Sequence, residues 1–225
     1  MPYVRKDIMK AVFIDYTGTL LKNENSDLDE FYKKFSASTS FKTMEEAKEW
    51  WYKTLRELET QYSGENYINE DSIVEEGLKK AQASYHLKEE VKSLHQLHQN
   101  YWMYGEFFQD AQTFFAKNTV PVYVVTNVGK EYVRINLKRK NFHVNDIFSS
   151  EDVHSYKPNK EIFAYALEKT GFKSEDVLVV GDSENDIIGA LELGMQCVIV
   201  DRKGQYRKSD YRRVRNVDDV RMLLE

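Results

Sequence analysis

Four short segments of the chain carry residue types that suit one chemistry. Asp15 is followed by Tyr16-Thr17-Gly18-Thr19, Thr126 precedes Asn127, Lys157 stands in Tyr156-Lys157-Pro158, and Gly181-Asp182-Ser183 leads to Asp186. Together they offer three carboxylates, a cation and a hydroxyl. A carboxylate can attack phosphorus to form an aspartyl-phosphate, which divides one difficult step into two. Two or three carboxylates with a backbone carbonyl suit Mg²⁺, which takes oxygen ligands in an octahedron and keeps several waters. A lysine, a threonine hydroxyl and N–H groups of a glycine-containing turn can hold phosphoryl oxygens. If the four segments converge, the chemistry is phosphoryl transfer.

The elements around these segments predict that convergence. Residues 10–15 (KAVFID), 119–126 (TVPVYVVT), 176–181 (DVLVVG) and 196–201 (QCVIVD) are short β-rich apolar runs and read as buried strands. Pro121 falls near the start of the second, where a strand tolerates it. Between them lie helical spacings: Phe107, Phe108, Ala111, Phe114 and Phe115; then 129–140; then 159–170, with Asn159 the expected N-cap; then 184–193. Alternating strands and helices predict an α/β fold with a Rossmann-like parallel sheet, helices on both faces. Ligands of such sheets bind beyond the carboxyl ends of the strands, where Asp15, Thr126 and Asp182 fall.

Residues 22–105 break the rhythm. The segment has no convincing strand and holds 11 Lys/Arg against 16 Asp/Glu, whereas the remainder is balanced at 21 of each. Thr43 with Glu46 and Ser72 with Glu75 fit capping boxes. Apolar stripes follow at Ala47, Trp50, Trp51, Leu55, Leu58 and Tyr62, at Val74, Leu78, Ala81 and Tyr85, and at Val91, Leu94, Leu97, Tyr101 and Trp102. With a shorter helix over 28–36, this predicts a bundle of about four helices inserted after the first strand. The expected division is a core of 1–21 with 106–225, and a helical cap of 22–105.

The order Asp-x-x-Gly-Thr, Thr-Asn, Lys-Pro, Gly-Asp-Ser-x-x-Asp resembles the four motifs of the haloacid dehalogenase-like hydrolase superfamily. The resemblance covers the whole core, and the helical insertion is similar to that family's cap. It implies Asp15 as nucleophile and Thr126 and Lys157 as phosphoryl-binding catalytic residues. It places Gly18 and Asn127 beside them in the substrate site. It also implies a Mg²⁺ held by Asp15, Asp182 and the Thr17 carbonyl, with Asp186 a further ligand or the group that orients one. The substrate implied is a small phosphorylated metabolite chosen by the cap.

One residue departs from the pattern. The family's phosphatases place a second aspartate two residues after the nucleophile, to protonate the leaving group and then activate water. Here that residue is Thr17, a poor general acid or base. Asp-Tyr-Thr-Gly-Thr is similar to the phosphorylation motif of P-type ion-pumping ATPases, where the leaving group is a good one. The expectation is a slow phosphatase favouring leaving groups of low pKa, such as acyl or aryl phosphates. The dehalogenases of the family resemble Asp-x-Tyr-Gly-Thr at this place, and its phosphonatases Asp-x-Ala-Gly-Thr with a cap lysine. Lys22, Lys48 and Lys53 are too ordinary to single one out for that role. A rival from another class is a non-catalytic scaffold that binds a phosphorylated ligand or a protein.

Other features have plainer readings. The cap aromatics Trp50, Trp51, Tyr62, Tyr101, Trp102 and Tyr104 lie at helical spacing, which predicts core packing before pocket lining. His95 and His98 share a helix face, but no third metal ligand accompanies them. Cys197 in an apolar strand reads as an inert buried thiol. Residues 202–215 carry seven basic residues and one acid, read as a solvated face.

A net charge of −5 argues against general nucleic-acid binding. No apolar run approaches the roughly 20 residues of a membrane span, and the N-terminal AVFI is too short for a signal-peptide core. A single cysteine excludes an intrachain disulfide and makes a cytoplasmic setting the expectation. No sequence signal sets the oligomeric state.

Overall fold

The computed structural model describes residues 9–224. The expectations placed on residues 1–8 and on 225 fall outside the described residues. Six parallel strands form one sheet in the order β3-β2-β1-β4-β5-β6. They are β1 (Ala11–Ile14), β2 (Val122–Thr126), β3 (Asp146–Ser149), β4 (Val177–Gly181), β5 (Gln196–Val200) and β6 (Arg213–Val214). Two of them, β3 and β6, were not among the expected strands; β3 has only two apolar residues between polar ends, and β6 has two residues in all. This is the Rossmann-like order, which reverses direction between β1 and β4.

Both faces of the sheet are covered, as the unbroken apolar runs require. Val12, Ile14, Val124, Leu178 and Val180 point to the face that carries α5 (Gln109–Lys117) and α6 (Lys130–Arg139). Phe13, Val125, Val177, Val179 and Ile199 point to the other, against α8 (Glu161–Thr170) and α9 (Ile188–Glu192). The period-two alternation of a strand thus divides one run of apolar residues between two cores. A four-residue helix, α7 (Ser150–Val153), follows β3.

The inserted segment forms α1 (Ser26–Ala37), α2 (Met44–Gln61), α3 (Glu70–Tyr85) and α4 (Val91–Tyr104). Thr43 caps α2, accepting from Glu46 N at 3.1 Å. The expected cap at Ser72 is displaced. Asn69 accepts from Ser72 N at 3.0 Å, so α3 starts earlier and includes Glu70 in its first turn. Asn159 is not the N-cap of α8 either: it donates to Ser155 Oγ, and the helix begins beyond Lys160.

Chain entry and exit to this bundle are pinned together. Leu21 bridges Phe107, Lys22 N donates to Glu106 O at 2.8 Å, and Phe108 N to Leu20 O at 3.0 Å. Buried Tyr16 ties the same region down, donating to Trp102 O at 2.7 Å and accepting from Asn136 Nδ2 at 2.8 Å. Among the described residues, no helix is long and apolar enough to cross a membrane.

Candidate active site

The carboxyl ends of β1, β2 and β4 bring the four segments to one cavity. Asp15, Thr17, Asn127, Lys157, Asp182 and Asp186 all line it. Lys157 is 4% exposed and donates to Asp15 Oδ1 at 2.6 Å and to Asp186 Oδ1 at 2.7 Å. The other Asp186 oxygen, Oδ2, accepts from Ser183 N at 3.0 Å and Ser183 Oγ at 2.6 Å. Asp186 is therefore fully engaged by protein donors and anchors the lysine. Ligand oxygens of Asp15, Asp182 and Asp186 lie within 4.8 Å of one another.

Asp15 keeps one oxygen free. Oδ2 is buried and has no hydrogen-bond partner, a costly state for a carboxylate unless a ligand completes it. Burial, then the Asp186 charge, pushes the Asp15 carboxyl up to about 6, against the pull of Lys157. Burial and the charges of Asp186 and Asp15 likewise raise Asp182 well above the usual carboxylate range. Burial also opposes the Asp186 charge, but Lys157 and Ser183 outweigh it and hold that carboxyl low. Lys157 itself is held charged: its two carboxylate partners overcome desolvation and raise it above the ordinary lysine value. The all-oxygen donor set, the partnerless Asp15 oxygen and the crowding of like charges fit a hard divalent cation such as Mg²⁺.

Two glycines make the close approach possible. Gly18 adopts φ +84, and a Cβ there would lie 2.7 Å from the Asp182 carboxyl carbon. Gly181 abuts Asp186 in the same way. The expectation that Gly18 offers a free N–H to the phosphoryl group needs correction, because that N–H donates to Leu21 O at 2.8 Å. Gly18 contributes space and backbone freedom instead.

Thr126 is buried, and its Oγ1 accepts from Val128 N at 3.1 Å, leaving its own O–H to donate. Asn127 works through its neighbours: Oδ1 accepts from Lys157 N at 2.8 Å, and Nδ2 reaches Glu59 Oε1 at 3.3 Å. Glu59 also receives Arg56 Nη1 at 2.7 Å.

Arg56, Glu59 and Glu70 are functional-site candidates that the sequence reading missed. The signal was present, since Trp51, Leu55 and Glu59 are four residues apart, which places a carboxylate on the buried stripe of α2. Trp51, Tyr101 and Trp102 pack in the bundle core, as expected, and also line the cavity. Trp50 packs among Phe35, Phe41 and Tyr85, and Tyr104 is exposed.

Of the remaining candidates only His98 lines the cavity. His95 pairs with Asp71 at 2.9 Å, while His98 is buried among aromatic rings. Burial pushes the Cys197 thiol up to about 12. In the basic segment, Arg202 pairs with Asp110 at 2.7 Å, donates to the carbonyls of Gly18 and Thr19, and stacks on Phe108. It braces the turn after β1. Lys157 is the one lysine lining the cavity among the described residues.

Residues 9–194 match the family described as haloacid dehalogenase-like hydrolase. A glyceraldehyde 3-phosphate phosphatase of Methanocaldococcus jannaschii is 41% identical over 63 residues, 28% of this chain and 27% of that protein. The matches to curated relatives span between 20% and 37% of those proteins. Among solved structures, the HAD-hydrolase YfnB of Bacillus subtilis bound to magnesium superposes with TM-score 0.76 at 20% identity, covering 96% of this chain and 98% of that one. The L-2-haloacid dehalogenase of Xanthobacter autotrophicus with chloropropionic acid covalently bound gives 0.75 at 15% identity, with the same coverage. At these identities the likeness is one of fold.

Proposed function

The chain belongs to the haloacid dehalogenase-like hydrolases, and we propose that within that family it is a Mg²⁺-dependent phosphatase of a small phosphorylated metabolite. One observation carries the reading: a buried Asp15 with a partnerless oxygen, beside a lysine locked between two carboxylates at the sheet's carboxyl edge. In this reading residues 22–105 are the cap, 1–21 with 106–225 are the core, and the setting is cytoplasmic.

Asp15 Oδ2 attacks phosphorus, an O–P bond forms, and the bond to the leaving oxygen breaks with its electron pair. Lys157 and the Thr126 hydroxyl hold phosphoryl oxygens as charge moves onto them. Asp186 keeps Lys157 in place, and Asn127 fixes the same residue through its backbone N–H. Water then attacks phosphorus, the Asp15–phosphorus bond breaks with its electron pair returning to the Asp15 carboxylate, and the water's proton leaves with the phosphate or to solvent. Asp15, Asp182 and the Thr17 carbonyl would hold Mg²⁺, whose charge would offset the repulsion between carboxylate and phosphate. Thr17 lines the cavity but has no proton to exchange near neutrality. The leaving oxygen therefore takes its proton from water or substrate, and turnover is slow unless that oxygen is a good leaving group.

A Schiff-base phosphonatase reading is weaker, because no cap lysine lines the cavity among the described residues. A non-catalytic scaffold is supported by Thr17 alone. The test is a screen of an aryl phosphate, acetyl phosphate and phosphorylated metabolites with Mg²⁺ or EDTA, with Asp15→Asn alongside. Turnover that needs both Mg²⁺ and Asp15 is expected. A folded protein that turns over none of them contradicts the phosphatase and favours the scaffold.

A further inference from the structure

Glu59 stands where the helical bundle meets the phosphoryl-binding residues. It lies on α2, is 4% exposed, and accepts from both sides of that junction. Its Oε2 takes Arg56 Nη1 at 2.7 Å, one turn earlier on the same helix. Its Oε1 takes Asn127 Nδ2 at 3.3 Å, from the loop after β2. Glu70 on α3 completes the group. Burial, then the Glu59 charge, raises the Glu70 carboxyl well above the usual carboxylate range, so it keeps its proton and hydrogen-bonds Glu59. A carboxylate so deeply buried is tolerated only with such donors around it. Of these donors, only Asn127 comes from outside the bundle.

The Glu59 carboxylate decides which way the Asn127 amide is turned. A carboxylate only accepts, whereas an amide side chain has one accepting and one donating end. With Nδ2 drawn to Glu59, Oδ1 faces the Lys157 N–H and accepts from it at 2.8 Å. Nδ2 also reaches Lys157 O at 3.4 Å. Turned the other way, the amide would set its oxygen against the Glu59 oxygen and its NH₂ against the Lys157 N–H, two repulsive contacts. Lys157 Nζ in turn sits 2.6 Å from Asp15 Oδ1 and 2.7 Å from Asp186 Oδ1. A continuous run of contacts thus leads from α2 through Asn127 to the lysine beside the nucleophile.

We propose that Glu59 is a positioning residue for phosphoryl transfer: it fixes the orientation of Asn127, which holds the Lys157 backbone and so aims the ammonium at the phosphoryl oxygens. Glu59 acts through Asn127 and touches no reacting atom. The role rests on the phosphatase reading, and it adds to that reading a residue outside the four motif segments.

The experiment compares the wild type with Glu59→Leu, with Asn127→Asp, and with Asn127→Asp combined with Glu59→Gln. Two quantities are measured with Mg²⁺: kcat and KM for acetyl phosphate, and the calorimetric Kd of beryllofluoride, a mimic of the aspartyl-phosphate that needs no turnover. Glu59→Leu removes the acceptor for Asn127, and kcat is expected to fall by about tenfold or more with KM little changed. Asn127→Asp sets two carboxylates against each other and is expected to lose as much. The combined variant exchanges donor and acceptor, keeps the wild-type net charge, and is expected to recover most of the kcat. Beryllofluoride affinity should follow the same order. Because recovery is read against Asn127→Asp alone, the result stands even if Glu59→Leu fails to fold. Wild-type kcat and Kd in Glu59→Leu, or a combined variant no better than Asn127→Asp, overturns the positioning role. Acetyl phosphate turnover with no recovery in the combined variant keeps the phosphatase and removes the role. Recovery of beryllofluoride affinity in a protein that turns over no phosphate keeps the role and removes the phosphatase. A wild type that neither binds beryllofluoride nor turns over acetyl phosphate overturns both.

Discussion

His98 gives the sharpest test of how the helical bundle is built. Its ring sits 5.2 Å from Phe31, 5.9 Å from Trp51, 6.0 Å from Tyr101 and 4.8 Å from Trp102. Burial in this aromatic shell, with a smaller push from His95, drives its pKa from 6.5 down to about 3. A histidine depressed in the fold contributes stability above its unfolded pKa and withdraws it as pH falls, because the unfolded chain takes up the proton first. Between pH 7.5 and 5 the withdrawal amounts to about 2 kcal/mol at 1.36 kcal/mol per unit. For a chain of this size that is a fall in Tm of roughly 4–8 °C.

Nearby His95 titrates in the opposite sense. Its hydrogen bond to Asp71 raises its pKa, so its contribution is complete below about 6.5 and is lost at higher pH. Since His98→Leu keeps His95, the difference between wild type and variant isolates His98. The assay is urea unfolding of both proteins at half-unit steps from pH 7.5 to 5. The wild type should lose about 2 kcal/mol relative to the variant across that range. Parallel stability curves would refute the argument that the aromatic shell keeps this imidazole neutral.

Two further perturbations address the active site. Thr17→Asp introduces a carboxyl where the cavity lacks a general acid, and turnover of an alkyl phosphate should rise by about 10²-fold or more; unchanged or lower turnover contradicts the role given to Thr17. Gly18→Ala places a methyl against the Asp182 carboxylate at a backbone φ of +84, so Mg²⁺ affinity should fall and stability drop by about 1–3 kcal/mol; wild-type Mg²⁺ affinity would show that this close approach is dispensable.

The legibility of the chain followed the strength of local signals. β1, β2, β4 and β5 announced themselves as apolar runs because both faces of the sheet are buried. Three of the four helices of the insertion were readable from their stripes, and Thr43 from its cap. β3 escaped because Asp146-Ile147-Phe148-Ser149 is brief and polar at both ends. Ser72 misled because a pairing with Glu75 fits the same spacing that Asn69 uses one turn earlier. The motif residues were legible as a set through their order, while the contacts that tune them were not. That Ser183 holds Asp186, and that the Gly18 N–H closes its own turn, are facts of three-dimensional packing. Glu59 and Glu70 read as two more surface acids in an acidic segment, and only their register with Trp51 and Ile73 distinguished them.

The central claim is that Asp15 becomes covalently phosphorylated. The most direct measurement is rapid acid quench of the protein with Mg²⁺ and ³²P-labelled acetyl phosphate, followed by peptide mapping. An acid-stable, hydroxylamine-labile label on the Asp15 peptide, absent in Asp15→Asn and in EDTA, is the predicted result. Turnover that proceeds with no label on Asp15, or undiminished in Asp15→Asn, would contradict it.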